Sequence, residues 1–70
     1  MTRDEWIAGF ARELGVEPPS PDQIDQLLRL AATAAHATER TAAPVSCWIA
    51  GRAGVSAAEF QAAAERVNQG

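Results

Sequence analysis

Three short segments have the pattern Ser/Thr-x-x-Glu/Gln, and they constrain the fold more than any other feature of the chain. They are Thr2–Glu5, Ser20–Gln23 and Ser56–Glu59. In such a capping box the hydroxyl accepts a hydrogen bond from a backbone N–H of the first helical turn, and the Glu or Gln side chain accepts one from the N-cap N–H. Pro21 follows Ser20 at the first helical position, where proline is favoured. The chain is therefore predicted to begin helices just after each of these hydroxyl residues.

Glycine and proline indicate where the predicted helices end. Gly15 and Gly54 each follow a helical run, where a left-handed C-cap normally stands. Val16–Pro19 is a stiff connector, because proline disfavours helix at its own position and at the residue before it. Thr41–Pro44 is a second break. No stretch alternates with period two, so the prediction contains no strand and four helices, over residues 3–14, 21–39, 43–53 and 57–68.

A chain of 70 residues accommodates one domain, so we predict a compact all-α four-helix domain over residues 1–70. Such a chain buries only about 60% of its unfolded surface. Cys47 is the sole cysteine, so no internal disulfide can compensate, and stability must come from helix packing or from a partner chain. The predicted core gathers the large apolar residues: Trp6, Phe10, Leu14, Leu27, Leu28, Val45, Trp48, Ile49 and Phe60.

The helical spacing of apolar residues predicts which surfaces are buried. Helix 3 is apolar or small on all sides, which is typical of an enclosed helix. Leu30 and Ala37 lie beside the main apolar face of helix 2, so with Val16 of the connector they are predicted to form an interaction surface. The stripe Trp6–Phe10 is expected inside, and its exposure would indicate an interface.

No group of residues has the composition of a catalytic or cofactor site. His36 and Cys47 are too few for structural zinc, which normally takes four ligands. Cys47 is interpreted as a small hydrophobic residue. His36, Arg40 and Arg52 are the candidate polar residues, and Arg52 shares a face with Trp48, where it can stack, pair with an acid or bind an anion. We expect a protein that is not an enzyme and that holds no cofactor or metal.

Charge and hydropathy narrow the choice of partner. The formal net charge of −3 argues against nucleic acid, which attracts a concentrated positive field. No apolar run approaches the roughly 18 residues of a membrane span. The segment Met1–Glu5 contains two acids and does not resemble a signal peptide. With a lone thiol, the expectation is a cytoplasmic protein without a membrane partner.

Several short motifs are distributed over most of the chain: Asp4-Glu5-Trp6, Leu27-Leu28-x-Leu30-Ala31, Ala35-His36, Arg40-Thr41-Ala42-Ala43-Pro44 and Gly51. Together they resemble a small actinobacterial helical domain family of unknown function. That family is similar to the C-terminal extension of MobA-type molybdenum cofactor guanylyltransferases. The resemblance implies a link to molybdopterin guanine dinucleotide biosynthesis. The glycine-rich nucleotide loop of the enzyme is absent, so none of its catalytic residues carries over.

The sequence thus predicts a non-catalytic accessory or protein-interaction module, whose partner is a guanylyltransferase-like enzyme or a second copy. The alternative is a helix-turn-helix regulator centred on Gly54 and Val55. Helix 4 would then read DNA, and it offers Gln61 and Arg66 but also acids that disfavour phosphate. A small enzyme is a third reading, disfavoured because no catalytic pair is identifiable.

Overall fold

A computed structural model describes residues 1–70 and contains four helices and no strand. The helices are α1 Arg3–Leu14, α2 Pro21–Ala37, α3 Ala42–Ala53 and α4 Ala57–Gln69. The prediction of an all-helical four-helix chain is therefore confirmed. The main difference in the boundaries is that α2 ends at Ala37 rather than at residue 39.

Two of the three predicted capping boxes form completely. The Glu5 N–H donates to Thr2 Oγ1 at 3.1 Å, and the Thr2 N–H donates to Glu5 Oε1 at 2.8 Å. Ser20 and Gln23 exchange the equivalent pair. At α4 the Ser56 hydroxyl accepts from the Glu59 N–H but donates to the Glu59 carboxylate, so the return bond to the backbone is missing.

Glycines end α1 and α3 as predicted. Gly15 and Gly54 have φ values of 73° and 66°, in the left-handed region that glycine adopts without steric cost. The break between α2 and α3 has no comparable cap, because the side chain of Thr41 makes no capping hydrogen bond. The first and third connections between helices thus have the local caps that the sequence predicts, whereas the second has only local backbone hydrogen bonds, from Ala42 to Glu39 and from Ala43 to Arg40.

α2 is the central helix, and α3 and α4 both pack against it. On the α3 side, the Cys47 thiol lies 3.8 Å from the carbonyl oxygen of Leu27. On the α4 side, Gln61 Nε2 donates to Thr33 Oγ1 at 2.9 Å. Leu30 lies between Leu27 and Thr33 along α2, where both neighbouring helices cover it, and only 4% of it is exposed.

α1 approaches no other helix as closely as α3 and α4 approach α2. Ala11 is buried and Ile7 is half-buried, so one side of α1 is covered. The pKa of Arg3 is raised mainly by its hydrogen bond and ion pair with Asp4, and also by the charge of Asp25.

The core is much smaller than the sequence predicts. Only Ala11, Leu30 and Ala50 are buried. Among the predicted core residues, Leu27 and Phe60 are half-buried. The prediction is wrong for the other seven, which are exposed: Trp6, Phe10, Leu14, Leu28, Val45, Trp48 and Ile49.

The prediction that α3 is an enclosed helix is also wrong, since Val45, Trp48 and Ile49 are exposed. The side of α3 that faces α2 consists of small residues, with Ala50 buried and Ser46 and Cys47 half-buried. Small side chains allow close approach of the two helices, and this approach turns the bulky residues of α3 outwards. Helix α3 therefore lies at the surface of the chain, although its residues are apolar or small on all sides.

The chain as a whole is open in shape. Its accessible surface is 5469 Å², whereas a closed monomer of 7.4 kDa exposes about 4,200 Å². Its radius of gyration is 12.8 Å, against about 11 Å for a typical globular chain of this length. Both measures show that the four helices leave substantial surface uncovered, and large apolar residues such as Trp6, Trp48 and Ile49 lie on it.

Candidate functional site

An apolar groove of about 660 Å³ lies along α2, α3 and α4. It exists because α3 and α4 each pack against α2 without approaching one another closely. Leu30 and Ala50 are its most buried lining residues, and Phe60 is half-buried beside them. Glu59 and Arg66 of α4 are exposed lining residues of opposite charge. The groove is thus apolar inside and charged at its α4 rim.

A row of large apolar side chains runs along the exposed side of α1. Trp6, Phe10 and Leu14 follow one another at four-residue spacing and are 57%, 53% and 63% exposed. The rings of Trp6 and Phe10 stack with centroids 5.2 Å apart and an interplanar angle of 20°. This packing holds the two rings together as one exposed apolar surface, which we call the α1 ridge (Trp6, Phe10 and Leu14). Trp6 and Phe10 also line a shallow cleft with Arg12 and Glu13.

A third apolar surface lies on the outer side of α3. Val45, Trp48 and Arg52 share this side, and Val45 and Trp48 are 58% and 63% exposed. The guanidinium carbon of Arg52 lies 4.9 Å from the centroid of the Trp48 ring, within the range of a cation–π contact. The sequence allows Arg52 to stack on Trp48, to pair with an acid or to bind an anion. Of these three roles, the structure shows the stacking. These three residues are the α3 outer face.

The predicted interaction surface needs correction at one position. Leu30 is covered by α3 and α4 and lies at the bottom of the groove, so it is not the exposed contact residue that the sequence predicts. Val16 and Ala37 are exposed, and their contact with a partner stays a prediction. Trp6 and Phe10 of α1, which the sequence predicts in the core, are exposed. Their helical spacing suits a core and an interface equally, so the pattern does not distinguish the two.

The three candidate polar residues do not form one site. His36 and Arg40 are exposed. His36 lines a shallow cleft with Thr33 and Asn68, and that cleft includes neither Arg40 nor Arg52. No cluster of three or more His, Cys, Asp or Glu side chains with the arrangement of a metal site is present.

Cys47 is half-buried between α3 and α2. Burial raises the pKa of its thiol, because the thiolate is poorly solvated there. Its position against the Leu27 carbonyl agrees with the interpretation of Cys47 as a small packing residue.

Gln61 is a polar residue that the sequence places wrongly. The amphipathic pattern of α4 predicts it on the water-facing side, yet it is half-buried against α2. Its Oε1 atom is buried and has no hydrogen-bond partner. No sequence signal distinguishes this residue, because its burial depends on how α4 is rotated against α2.

These features define a small all-helical domain with an incomplete core, an open apolar groove and two further exposed apolar surfaces. The chain belongs to the family described as a domain of unknown function, DUF6457, which matches residues 1–69. The match confirms one part of the resemblance seen in the sequence, namely that the chain is a domain of unknown function. No curated protein and no solved structure matches the chain. None of the four helices combines the length and apolar character required to cross a membrane.

Proposed function

We propose that this chain is a non-catalytic accessory module that binds another protein through the α3 outer face. The observation that carries the proposal is Trp48, which is 63% exposed and has Arg52 stacked over its ring. Trp and Arg are enriched among the residues that contribute most to protein–protein affinity. The stacking contact favours one arrangement of the two side chains before binding, which lowers the entropy lost on association.

The chemistry of the exposed surfaces supports a protein rather than a small polar substrate. The α3 outer face combines an aliphatic residue, an indole and a guanidinium, a composition that suits an apolar patch with an acidic neighbour on the partner. The titratable residue His36 lies apart from it, in a separate cleft. A general acid or base needs a partner group within hydrogen-bond reach of its substrate, and we find no such pair on the α3 outer face.

The sequence resemblance supplies a candidate partner, a MobA-type molybdenum cofactor guanylyltransferase. The proposal in its fuller form is that the module acts in molybdopterin guanine dinucleotide biosynthesis by binding that enzyme. The motifs that support it include Arg40–Pro44, which spans the start of α3. The helix-turn-helix regulator is the weaker proposal, because the exposed side of α4 includes Glu59 and Glu65, which repel phosphate.

Binding of the purified guanylyltransferase from the same source, measured by calorimetry, tests the proposal. Trp48→Ala should weaken binding by about 30-fold, the effect of losing a residue worth about 2 kcal/mol. Leu28→Ala is the control, since it removes a half-exposed apolar side chain that belongs to neither the α3 outer face, the α1 ridge nor the groove, and it should change the affinity little. Absence of binding by the unaltered chain, or equal losses in the two variants, would contradict the proposal.

A further inference from the structure

We infer that the α1 ridge of one copy docks in the groove of a second copy, so that the chain forms a symmetric dimer with two reciprocal contacts. The inference rests on the proposed function, a protein-binding module, and names a second copy of the chain as one partner. The α3 outer face stays free for a different protein. Three properties of the surfaces support it: shape, area and charge.

The ridge and the groove are complementary in shape, and one chain presents both. The ridge is an exposed apolar row in which Trp6 and Phe10 stack on each other. The groove is concave and has Leu30 at its bottom. A helix with an apolar face that lies in an apolar groove is a common mode of protein recognition. A two-fold pair of chains fills both grooves and covers both ridges, as an isologous interface requires.

The uncovered area matches what a stable dimer needs. The accessible surface of 5469 Å² exceeds that of a closed monomer of this mass by about 1,300 Å². An interface of standard size removes about 800 Å² from each partner. The excess is therefore large enough for one such interface on every copy.

Charges beside the two surfaces are complementary in one orientation. Arg3 lies three residues before Trp6, and Glu13 lies three residues after Phe10, so both charges flank the ridge. With α1 parallel to α4 of the second copy, Arg3 faces Glu59 and Glu13 faces Arg66. The opposite orientation brings like charges together.

The spacing of these charges allows both pairs to form. Arg3 and Glu13 are separated by about 15 Å along α1, and Glu59 and Arg66 by about 10 Å along α4. The long arginine side chains can cover the difference. Arg3 now pairs with Asp4 at 2.8 Å, but both side chains are mostly exposed, and an ion pair of that kind is easily exchanged.

Sedimentation equilibrium of the full chain and of charge-reversal variants tests the inference. The unaltered chain should dimerise. Glu13→Arg and Arg66→Glu should each weaken the dimer at least tenfold, because each brings like charges together. The double variant E13R/R66E should restore most of the affinity. Both positions are exposed, so the helices should persist, which circular dichroism checks. Arg40→Glu is the control, a charge reversal at an exposed residue between α2 and α3 that lines neither the groove nor the cleft beside the ridge.

A chain that stays monomeric at about 1 mM, the weak end of ordinary affinities, would overturn the inference. So would a double variant as weak as the single ones. Failure of the proposed function would be seen separately, because Trp48 takes no part in the ridge–groove contact. A monomeric chain that still loses enzyme binding on W48A would refute the dimer alone. A dimer that binds no enzyme would refute only the binding role of the α3 outer face.

Discussion

The amide of Gln61 donates a 2.9 Å hydrogen bond to the hydroxyl oxygen of Thr33, and this is the one hydrogen bond between side chains of two different helices. The Thr33 hydroxyl in turn donates to the carbonyl oxygen of Arg29 at 3.1 Å. Its oxygen must therefore accept from the Gln61 nitrogen, which fixes the orientation of the amide. The same orientation leaves Gln61 Oε1 buried without a partner.

Thr33→Val should destabilise the chain by about 0.5–1.5 kcal/mol, because it removes the 2.9 Å hydrogen bond of Gln61 Nε2 and leaves that nitrogen only the longer bond to Glu65 Oε1 at 3.4 Å. Urea unfolding at one fixed chain concentration measures the change. Thr41→Val is the control, since Thr41 is exposed and its hydroxyl makes no capping bond. Equal effects of the two substitutions would show that the α2–α4 hydrogen bond adds nothing to stability.

Leu30→Ala should cost about 2–5 kcal/mol, the usual range for a buried leucine. Leu28→Ala, two positions away on the same helix, should cost about 1 kcal/mol or less, since half of Leu28 is exposed. The comparison holds residue type and helix constant and varies burial alone. Both free energies of unfolding come from the same urea titration. A Leu28 variant at least as unstable as the Leu30 variant would contradict the assignment of the core.

Helix ends were predictable from the sequence because their causes are local. Ser20 and Gln23 satisfy each other's backbone groups within one turn. Gly15 adopts a left-handed conformation that most other residues adopt only with strain. The end of α2 was predicted less well. Its C-cap, Thr38, has an irregular conformation with φ −149° and ψ −104°, which no local sequence signal specifies.

The core could not be predicted because it depends on how the helices are rotated against one another. Leu27, Leu28 and Leu30 point in different directions around α2, and all three are equally apolar. Which of the three leucines is buried depends on α3 and α4, which pack against α2 from two sides and together cover Leu30. The groove was missed for the same reason, since it is the space left where α3 and α4 fail to meet.

Acid should weaken the start of α1 through Glu5. The pKa of Glu5 is lowered because its carboxylate accepts a hydrogen bond from the Thr2 N–H and is further stabilised by the Thr2 side chain. A lowered pKa in the folded chain contributes stability that is present above the unfolded value of about 4.3. That stability is lost as pH falls through the folded value.

A pH titration of the Glu5 carboxyl carbon and the Thr2 amide proton by NMR measures this effect. Both signals should report one titration below the ordinary pKa of glutamate. Glu5→Gln keeps a side-chain acceptor for the Thr2 N–H, so it should retain the cap and remove the pH dependence of the Thr2 signal. Titration of Glu5 at or above its ordinary value would show that the box is not formed in solution.

Cys47 should react slowly with alkylating reagents while the chain is folded. The thiolate is the reactive form, and burial raises the pKa of this thiol, so less thiolate exists at a given pH. A raised pKa contributes stability that is present below the unfolded value of about 8.5. That contribution is lost as pH rises through the folded value. Cys47→Ala should therefore remove part of the loss of stability in alkaline solution.

Iodoacetamide labelling followed by mass spectrometry tests the prediction across the alkaline range. The rate should rise at higher pH in the folded chain than in the same chain unfolded in urea, because only unfolding gives the thiolate full access to water. The midpoint of the rate profile is the informative quantity, since it separates a shifted pKa from simple shielding. Shielding alone lowers the rate at every pH and leaves the midpoint near 8.5. A folded midpoint at or below that of the unfolded chain would contradict the prediction. It would show that the surroundings of Cys47 are more polar than the half-buried position beside Leu27.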